Sequence, residues 1–322
     1  MKEVCIIQYL PLTHPRATLR LVKKLGAVGV MTILDLEDSA QDPFNKGITR
    51  DLKISARNNF LQLVDNNSWD SNSFNAPIYV RVNAVDTEFF IDDVKMLIEV
   101  INSGFPVSGI FLPKVEFYSQ IQEIHSSLET LEKSGKNNVE IVPMIETKLG
   151  MANLKKILEA DEANSIFSKI HYGHFDYCLD AKLWPFPDPQ HDSFWNLIKP
   201  MINLILRNNK TYIHTPFPFP NNIDLFWASY KYLKSLYPKK NIWACTLNSE
   251  ISFSVEKKNN PSLVINTPDL SKKCKIEEAK LIKKYYLAGR ANRRSFGIYN
   301  DRFIPPHHYF AAEEYLKNND IN

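Results

Sequence analysis

VEIVPMIETKLGMANLKKILEADEANSIFSKIHYGHFD, residues 139–176, decides the fold. It opens with an apolar run of Ile, Val and Met that reads as a buried strand and ends at Glu146. NLKKILEADEAN follows with apolar residues at helical spacing, and a second strand-like run, IHYGHFD, ends at Asp176. A carboxylate at the carboxyl end of a strand lies where α/β folds build their sites. Two of them with few basic neighbours suggest a hard cation, Mg2+ foremost, completed by water and substrate oxygens. Either acid alone is equally well a helix N-cap or a surface charge.

Working outward, the same alternation recurs. Strand-like runs lie at 4–10, 30–37, 77–83, 109–115, 139–146, 170–176, 211–217 and 241–247. HPRATLRLVKKLG, DDVKMLIEVINSG and FYSQIQEIHSSLETLEKSG add helical patterns, each ending near Gly, a usual helix stop. Eight strands alternating with helices predict a (β/α)8 TIM barrel over residues 1–250. An open doubly wound sheet is the alternative, but it usually has fewer strands and often a Gly-rich first turn. Residues 251–322 read as a C-terminal extension: irregular chain, then the helix IEEAKLIKKYYLAG, then RRSFGIYNDRFIPP and the helix HHYFAAEEYLKNN.

Composition narrows the class. The chain has 322 residues, 44% of them hydrophobic, and a net charge of +3 with Lys and Arg dispersed among acids. That pattern argues against a nucleic-acid footprint. No apolar run reaches membrane-spanning length, and MKEVCIIQYL leads directly into a strand-like segment, so a cytoplasmic protein without a leader is expected. Cys5, Cys178, Cys245 and Cys274 are far apart and form no CxxC, which argues against a thiolate zinc site. Dinucleotide, Walker and hydrolase-elbow motifs are absent from the sequence.

Other polar residues sit at the same strand ends. The second strand offers Asp35, Glu37 and Asp38, the third Arg81 and Asn83, the fourth Lys114, and the sixth His174 beside Asp176. In a barrel all converge on one face. Acids hold a cation, while Arg and Lys hold an anionic substrate, Arg by two parallel hydrogen bonds to a carboxylate. Asp35 either joins this group or points away. Lys114 is either a substrate contact or a satisfied barrel lysine. His171 and His174 read as core or rim residues as readily as ligands. Arg81, inside an apolar strand, needs anionic partners.

These motifs together resemble the HpcH/HpaI aldolase superfamily, in its citrate lyase beta subunit and malyl-CoA lyase branch. D-L-E-D is Asp35–Asp38, with Lys53 and Ala56-Arg57 downstream; R-V-N is Arg81–Asn83; L-P-K is Leu112–Lys114; I-E-T-x-x-G is Ile145–Gly150; G-x-x-D is Gly173–Asp176. The resemblance implies a (β/α)8 barrel and Mg2+ on Glu146 and Asp176, with Mn2+ as its substitute. It also implies substrate contacts from Arg81, with Glu37 and Asp38 holding metal-bound waters. Near the C-terminus, Gly297–Asp301 matches a segment that carries an Asp into a neighbouring subunit's site. That makes Asp301 a candidate acid/base and the protein a homo-oligomer, a dimer, trimer or hexamer. Lys148 after E-T, and the aromatic stretch LWPFPDPQHDSFW (183–195), depart from the pattern and mark a divergent C–C bond lyase branch. The aromatic stretch reads as a lid or as a Pro-stiffened loop on the barrel, and HTPFPFP (214–220) sits at another strand end.

The expected activity is a Mg2+-dependent carbon–carbon lyase or aldolase acting on a small 2-oxo acid or acyl thioester, CoA thioesters included. Arg81, Asn83, Lys114 and His174 are expected to meet substrate. Arg81, Glu37, Asp38 and Asp301 are expected to serve the chemistry. The alternatives are a metal-dependent phosphotransferase on a pyruvate-kinase-like barrel, or a non-catalytic barrel subunit.

Overall fold

The computed structural model describes residues 5–65, 74–132, 139–254, 262–292 and 294–321. Eight parallel strands close into a barrel in chain order: β1 (Ile6–Pro11), β2 (Met31–Asp35), β3 (Ile78–Arg81), β4 (Val107–Leu112), β5 (Glu140–Ile145), β6 (Lys169–Tyr172), β7 (Thr211–Pro216) and β8 (Ile242–Thr246), with β1 paired to both β2 and β8. Helices α1 (Pro15–Ala27), α2 (Lys46–Asp65), α3 (Phe90–Asn102), α4 (Tyr118–Glu132), α5 (Lys148–Asp161), α6 (His174–Asp180), α7 (Asp192–Arg207) and α8 (Ile223–Leu236) run between the strands, and α9 (Ser249–Phe253) follows β8. The expected closed barrel is what the chain forms. The helices α2, α7 and α8 were not anticipated by the helical patterns quoted above.

Period-two alternation divides the strand side chains between two cores. Ile7, Tyr9, Met31, Ile33, Tyr79, Phe111, Val142, Met144, Ile213, Trp243 and Cys245 fill the barrel interior. Their neighbours, such as Leu34, Val80, Ile110, Ile141 and Tyr212, face the helix layer. This parity has a direct consequence at the top of the barrel. Continuing inward from Ile33, Tyr79 and Met144 brings Asp35, Arg81 and Glu146 to the mouth.

Helix stops follow backbone chemistry. Gly29 and Gly104, at φ +76 and +92, take the left-handed conformation after α1 and α3. Gly26, the stop expected for α1, lies within that helix instead. The Gly135 expected to end α4, and residues 255–261 of the expected irregular stretch, lie outside the described residues.

Beyond the barrel, α10 (Lys272–Ala291), the hairpin β9 (Gly297–Tyr299) and β10 (Arg302–Ile304), and α11 (Pro306–Lys317) form a small unit. Ala279, Ile282, Tyr286, Ile304, Tyr309, Ala312 and Leu316 make its core. The unit lies against this chain's own barrel. Cys178, Phe186 and Ala311 pack together, Trp184 Nε1 donates to Lys275 O at 3.0 Å, and Phe303 N donates to Pro218 O at 2.8 Å. The aromatic stretch therefore goes inward: Phe186, Phe194 and Trp195 are buried. No helix among the described residues is long and apolar enough to cross a membrane.

Candidate active site at the barrel mouth

A cavity of about 570 Å³ opens at the carboxyl ends of the strands. Its polar wall includes Asp35, Asp38, Arg81, Glu146, His174, Asp176 and His307. Its apolar wall includes Phe175, Pro216, Pro220, Leu247 and, from the tail, Phe296, Ile298 and Phe303. The lower part of the barrel contributes Tyr9, Met144 and His171.

Arg81 organises the acids. Asp35 and Arg81 are register partners on β2 and β3. The guanidinium donates from Nε to Asp35 Oδ1 and from Nη2 to Asp35 Oδ2, both at 2.7 Å, a bidentate fork. Nη1 donates to Asp38 Oδ2 at 2.9 Å and lies 3.0 Å from Glu37 Oε2. The Tyr9 ring sits against it, 4.7 Å from Cζ to the ring centroid. Asp35 also accepts from Glu37 N at 3.0 Å and Ser39 N at 2.9 Å, which shapes the turn carrying Glu37 and Asp38. Lys53 supports the same turn through the carbonyls of Leu36 and Glu37, at 3.0 and 2.6 Å.

Lys114 binds the second half of the site to the first. Its Nζ donates to Glu37 Oε1 at 2.8 Å and lies 3.4 Å from Asp176 Oδ1. Its backbone N donates to Glu146 Oε1 at 2.9 Å. This requires φ +52, a left-handed backbone that a long side chain adopts only at a cost in strain. Glu146 in turn lies over Gly173, where an added Cβ would stand 2.0 Å from its Oε2. That close approach explains the glycine of the G-x-x-D segment. Asp176 occupies the first turn of α6, not the strand end itself.

The acids are not equivalent. Burial, then the neighbouring Asp176, pushes the Glu146 carboxyl up to about 8. Burial, then Glu37, raises Asp38 to about 6. Asp176 is buried too, but His307 and Lys114 outweigh that and bring it down to about 2. His307, also buried, is raised to about 9 by Asp176. Asp35, Glu37, Asp38, Glu146 and Asp176 thus face the fixed cations Arg81, Lys53 and Lys114. Among the described residues no cationic side chain forms an ion pair with Glu146, whose carboxyl accepts from the Lys114 backbone N instead. Such a donor set fits a divalent cation, and Glu146 and Asp176 are the residues that would hold it.

Several expected residues lie elsewhere. Asn83 is outside the cavity lining: its Nδ2 donates to Leu36 O at 3.2 Å and to Asp93 Oδ2 at 2.7 Å, and Asp93 pairs with Arg57 at 3.0 Å. Glu37 and Lys114 are not among the lining residues. His174 borders the cavity, but its Nε2 donates to Pro187 O at 2.7 Å and its Nδ1 accepts from Tyr172 Oη at 3.1 Å. Asp301 is exposed at the hairpin tip, where Asn300 and Asp301 both have positive φ, away from this chain's own cavity. His307 and Tyr9 were not anticipated. Tyr9 follows the inward parity of β1, whereas no local pattern marks His307.

The buried histidines predict acid lability. Burial pushes His171 and His214 down to about 3, His174 to about 4, and His308 well below its usual value. Each is neutral in the fold and takes a proton on unfolding below pH 6.5. Its contribution is therefore intact above that pH and is lost, at about 1.4 kcal/mol per unit, as pH falls. Glu146 and Asp38 act oppositely, because the fold keeps their protons below about 8 and 6. His307, which keeps its proton in the fold up to about 9, acts in the same direction as the two acids. Four rings against these three groups still leave a net loss. Urea unfolding of the metal-free protein should give a stability about 3 kcal/mol lower at pH 5 than at pH 6.5.

Fold and mouth define a (β/α)8-barrel protein with its polar centre at the carboxyl face. The HpcH/HpaI aldolase/citrate lyase family model matches residues 9–191, more than half of the chain, and the chain belongs to that family. Citrate lyase subunit beta of Leuconostoc mesenteroides subsp. cremoris is 32% identical over 174 residues, 53% of this chain and 51% of that one. L-malyl-CoA/beta-methylmalyl-CoA lyase of Rhodobacter capsulatus is 29% identical over 129 residues, 39% and 36% of the two chains. The chain thus spans about half of the length of the first of these curated relatives and about a third of the second. Among solved structures, Haloferax volcanii malate synthase with pyruvate and acetyl-CoA superposes with a TM-score of 0.69 at 12% identity, covering 99% of this chain and 91% of that one. CitE of Mycobacterium tuberculosis with magnesium, acetoacetate and coenzyme A gives 0.57 at 16%, covering 98% of each chain. At these identities the structural likeness speaks for the fold.

Proposed function

We propose that this chain is a divalent-cation-dependent carbon–carbon lyase that acts on a 2-oxo acid or an acyl thioester through an enolate. The observation that carries the reading is the buried Glu146, with which no cationic side chain among the described residues forms an ion pair, facing Asp176 at the barrel mouth. The relatives' names, citrate lyase subunit beta and malyl-CoA lyase, point the same way. A bound Mg2+ would supply Lewis acidity toward the substrate's carbonyl and carboxylate oxygens.

The chain's own residues supply the rest. Arg81 is pinned by Asp35 and needs no reorganisation to meet developing negative charge. One N–H on Nη2 has no acid to serve and remains for a substrate oxygen, whereas Nη1 faces both Glu37 and Asp38. The phenylalanines of the tail and the prolines of the β7 loop exclude water from the reacting carbon. Asp301 is proposed to serve a neighbouring copy's site as acid or base, because it lies outside its own. A homo-oligomer is part of the same proposal. A CoA thioester remains within the substrate class.

Proton NMR of pyruvate in D2O tests the reading. With protein and Mg2+, the methyl signal should fade by solvent exchange, and oxalate, an enolate mimic, should block that loss. Undiminished methyl protons under all metal conditions would overturn it. Release of phosphate from a nucleotide with no loss of methyl signal would point to the phosphotransferase instead.

A further inference from the structure

We infer that His307 is a nitrogen ligand of the cation held by Asp176, and that the centre therefore selects Co2+ over Mg2+. The inference rests on the preceding reading, that Asp176 holds a cation, and adds a ligand from the C-terminal tail.

Geometry carries it. One ligand atom from each of Asp38, Asp176 and His307 can be chosen so that all lie within 4.8 Å of one another. Among the described residues this is the one cluster of three such groups. Metal–ligand distances of about 2.1 Å place neighbouring donors of an octahedral ion about 3 Å apart. His307 Nε2 lies 3.2 Å from Asp176 Oδ1, close to that spacing. Nδ1 is buried without a partner, so Nε2 is the atom presented to the acids.

The ring is held in place. Pro305 caps α11 and Pro306 starts it, which limits how the chain enters the helix. The next residue, His308, stacks on Phe186 with centroids 4.5 Å apart and planes 5° apart. Arg302 donates to Glu278 and to Phe186 O, both at 2.9 Å, and secures the preceding hairpin. A bland alternative is that His307 and Asp176 form an ion pair that docks the tail. Docking has other means, however: Lys182 with Glu314 at 2.8 Å and Arg290 with Asp42 at 2.9 Å, besides the aromatic stack. Neither of those pairs lies in the cavity lining, whereas His307, Asp176 and Asp38 all do.

The chemistry gives the selectivity. Mg2+ favours an all-oxygen shell, while imidazole suits the later first-row ions. A tail nitrogen beside the barrel's carboxylates therefore shifts preference toward those ions.

Pulsed EPR of the Mn2+-loaded full chain tests ligation directly, independent of turnover. The expected result is a modulation from directly bound imidazole nitrogen in the wild type, lost in both His307→Asn and His307→Ala. Competition titrations should show Co2+ affinity falling about tenfold or more in these variants, with Mg2+ affinity nearly unchanged. Mn2+ bound in a Glu146-dependent way with no nitrogen modulation would sink this inference and leave the cation reading standing. So would a modulation that survives both substitutions. No binding of Mn2+ or Mg2+ at all would remove both. The wild-type spectrum decides ligation even if a variant fails to fold.

Discussion

Replacing Arg81 with methionine is expected to cost about 3–5 kcal/mol of stability, because it leaves buried carboxylates without their counter-charge. The side chain is buried, and its fork to Asp35, with further contacts to Glu37 and Asp38, neutralises three acids at once. Methionine keeps much of the volume and the packing against Tyr9, so the loss reports charge rather than a cavity. Urea unfolding near pH 7 measures it. Adding Asp35→Asn should restore part of the loss, since it removes one orphaned charge, and this coupling separates charge from packing. A single variant within 1 kcal/mol of wild type would mean that Asp35 and its neighbours take up protons at little cost. Activity should be lost in both variants, because nothing else in the cavity supplies a rigid guanidinium.

Glu146→Gln should abolish tight metal binding and lower kcat/KM by at least about a thousandfold, while leaving the fold intact. In the metal-free protein the Glu146 carboxyl is held up at about 8, so near pH 7 it is mostly protonated and glutamine mimics it closely. Its contribution to stability is full at low pH and is lost as pH rises through that value and the buried group ionises. The unfolded chain ionises this group at about 4.5, so the variant should match the wild type below that pH and exceed it increasingly as pH rises from there to about 8. With saturating Mg2+ the order reverses, because only the wild type gains stability by binding. Thermal unfolding with and without Mg2+ checks both parts. A variant whose melting temperature still rises with Mg2+ would place the cation on other ligands. Full activity in the variant would refute the proposed chemistry.

The two variants probe different layers of one design. Arg81 and Asp35 make a rigid frame, and Glu146, Asp38 and Asp176 make the layer proposed to meet the cation. Lys114, through its strained backbone and its long side chain, joins the two.

Much of this was legible in the sequence because it depends on short-range pattern. Each strand-like run lies within a few residues of an observed strand, since alternating burial leaves its period in the chain. The same parity carries Asp35, Arg81 and Glu146 to the mouth, since each lies two residues beyond an interior side chain. The motif glycines were legible as letters but not as physics. Gly173 must be bare because Glu146 lies on it, and that contact joins separate strands. Asn83 and His174 sit at strand ends as expected, yet their polar atoms are taken up by Leu36 O and Asp93, and by Tyr172 and Pro187. A strand-end position says where a side chain starts, not which partner it finds.

By itself, then, the sequence determined the closed barrel and the face on which its acids gather, because hydrophobic period and chain order encode both. Only the tertiary structure decided that the tail folds over this chain's own barrel, that the 183–195 stretch packs inward, and that His307 meets Asp176. Those contacts join residues far apart in the chain. They depend on aromatic surfaces such as Phe186 and His308 fitting each other, which no local periodicity records.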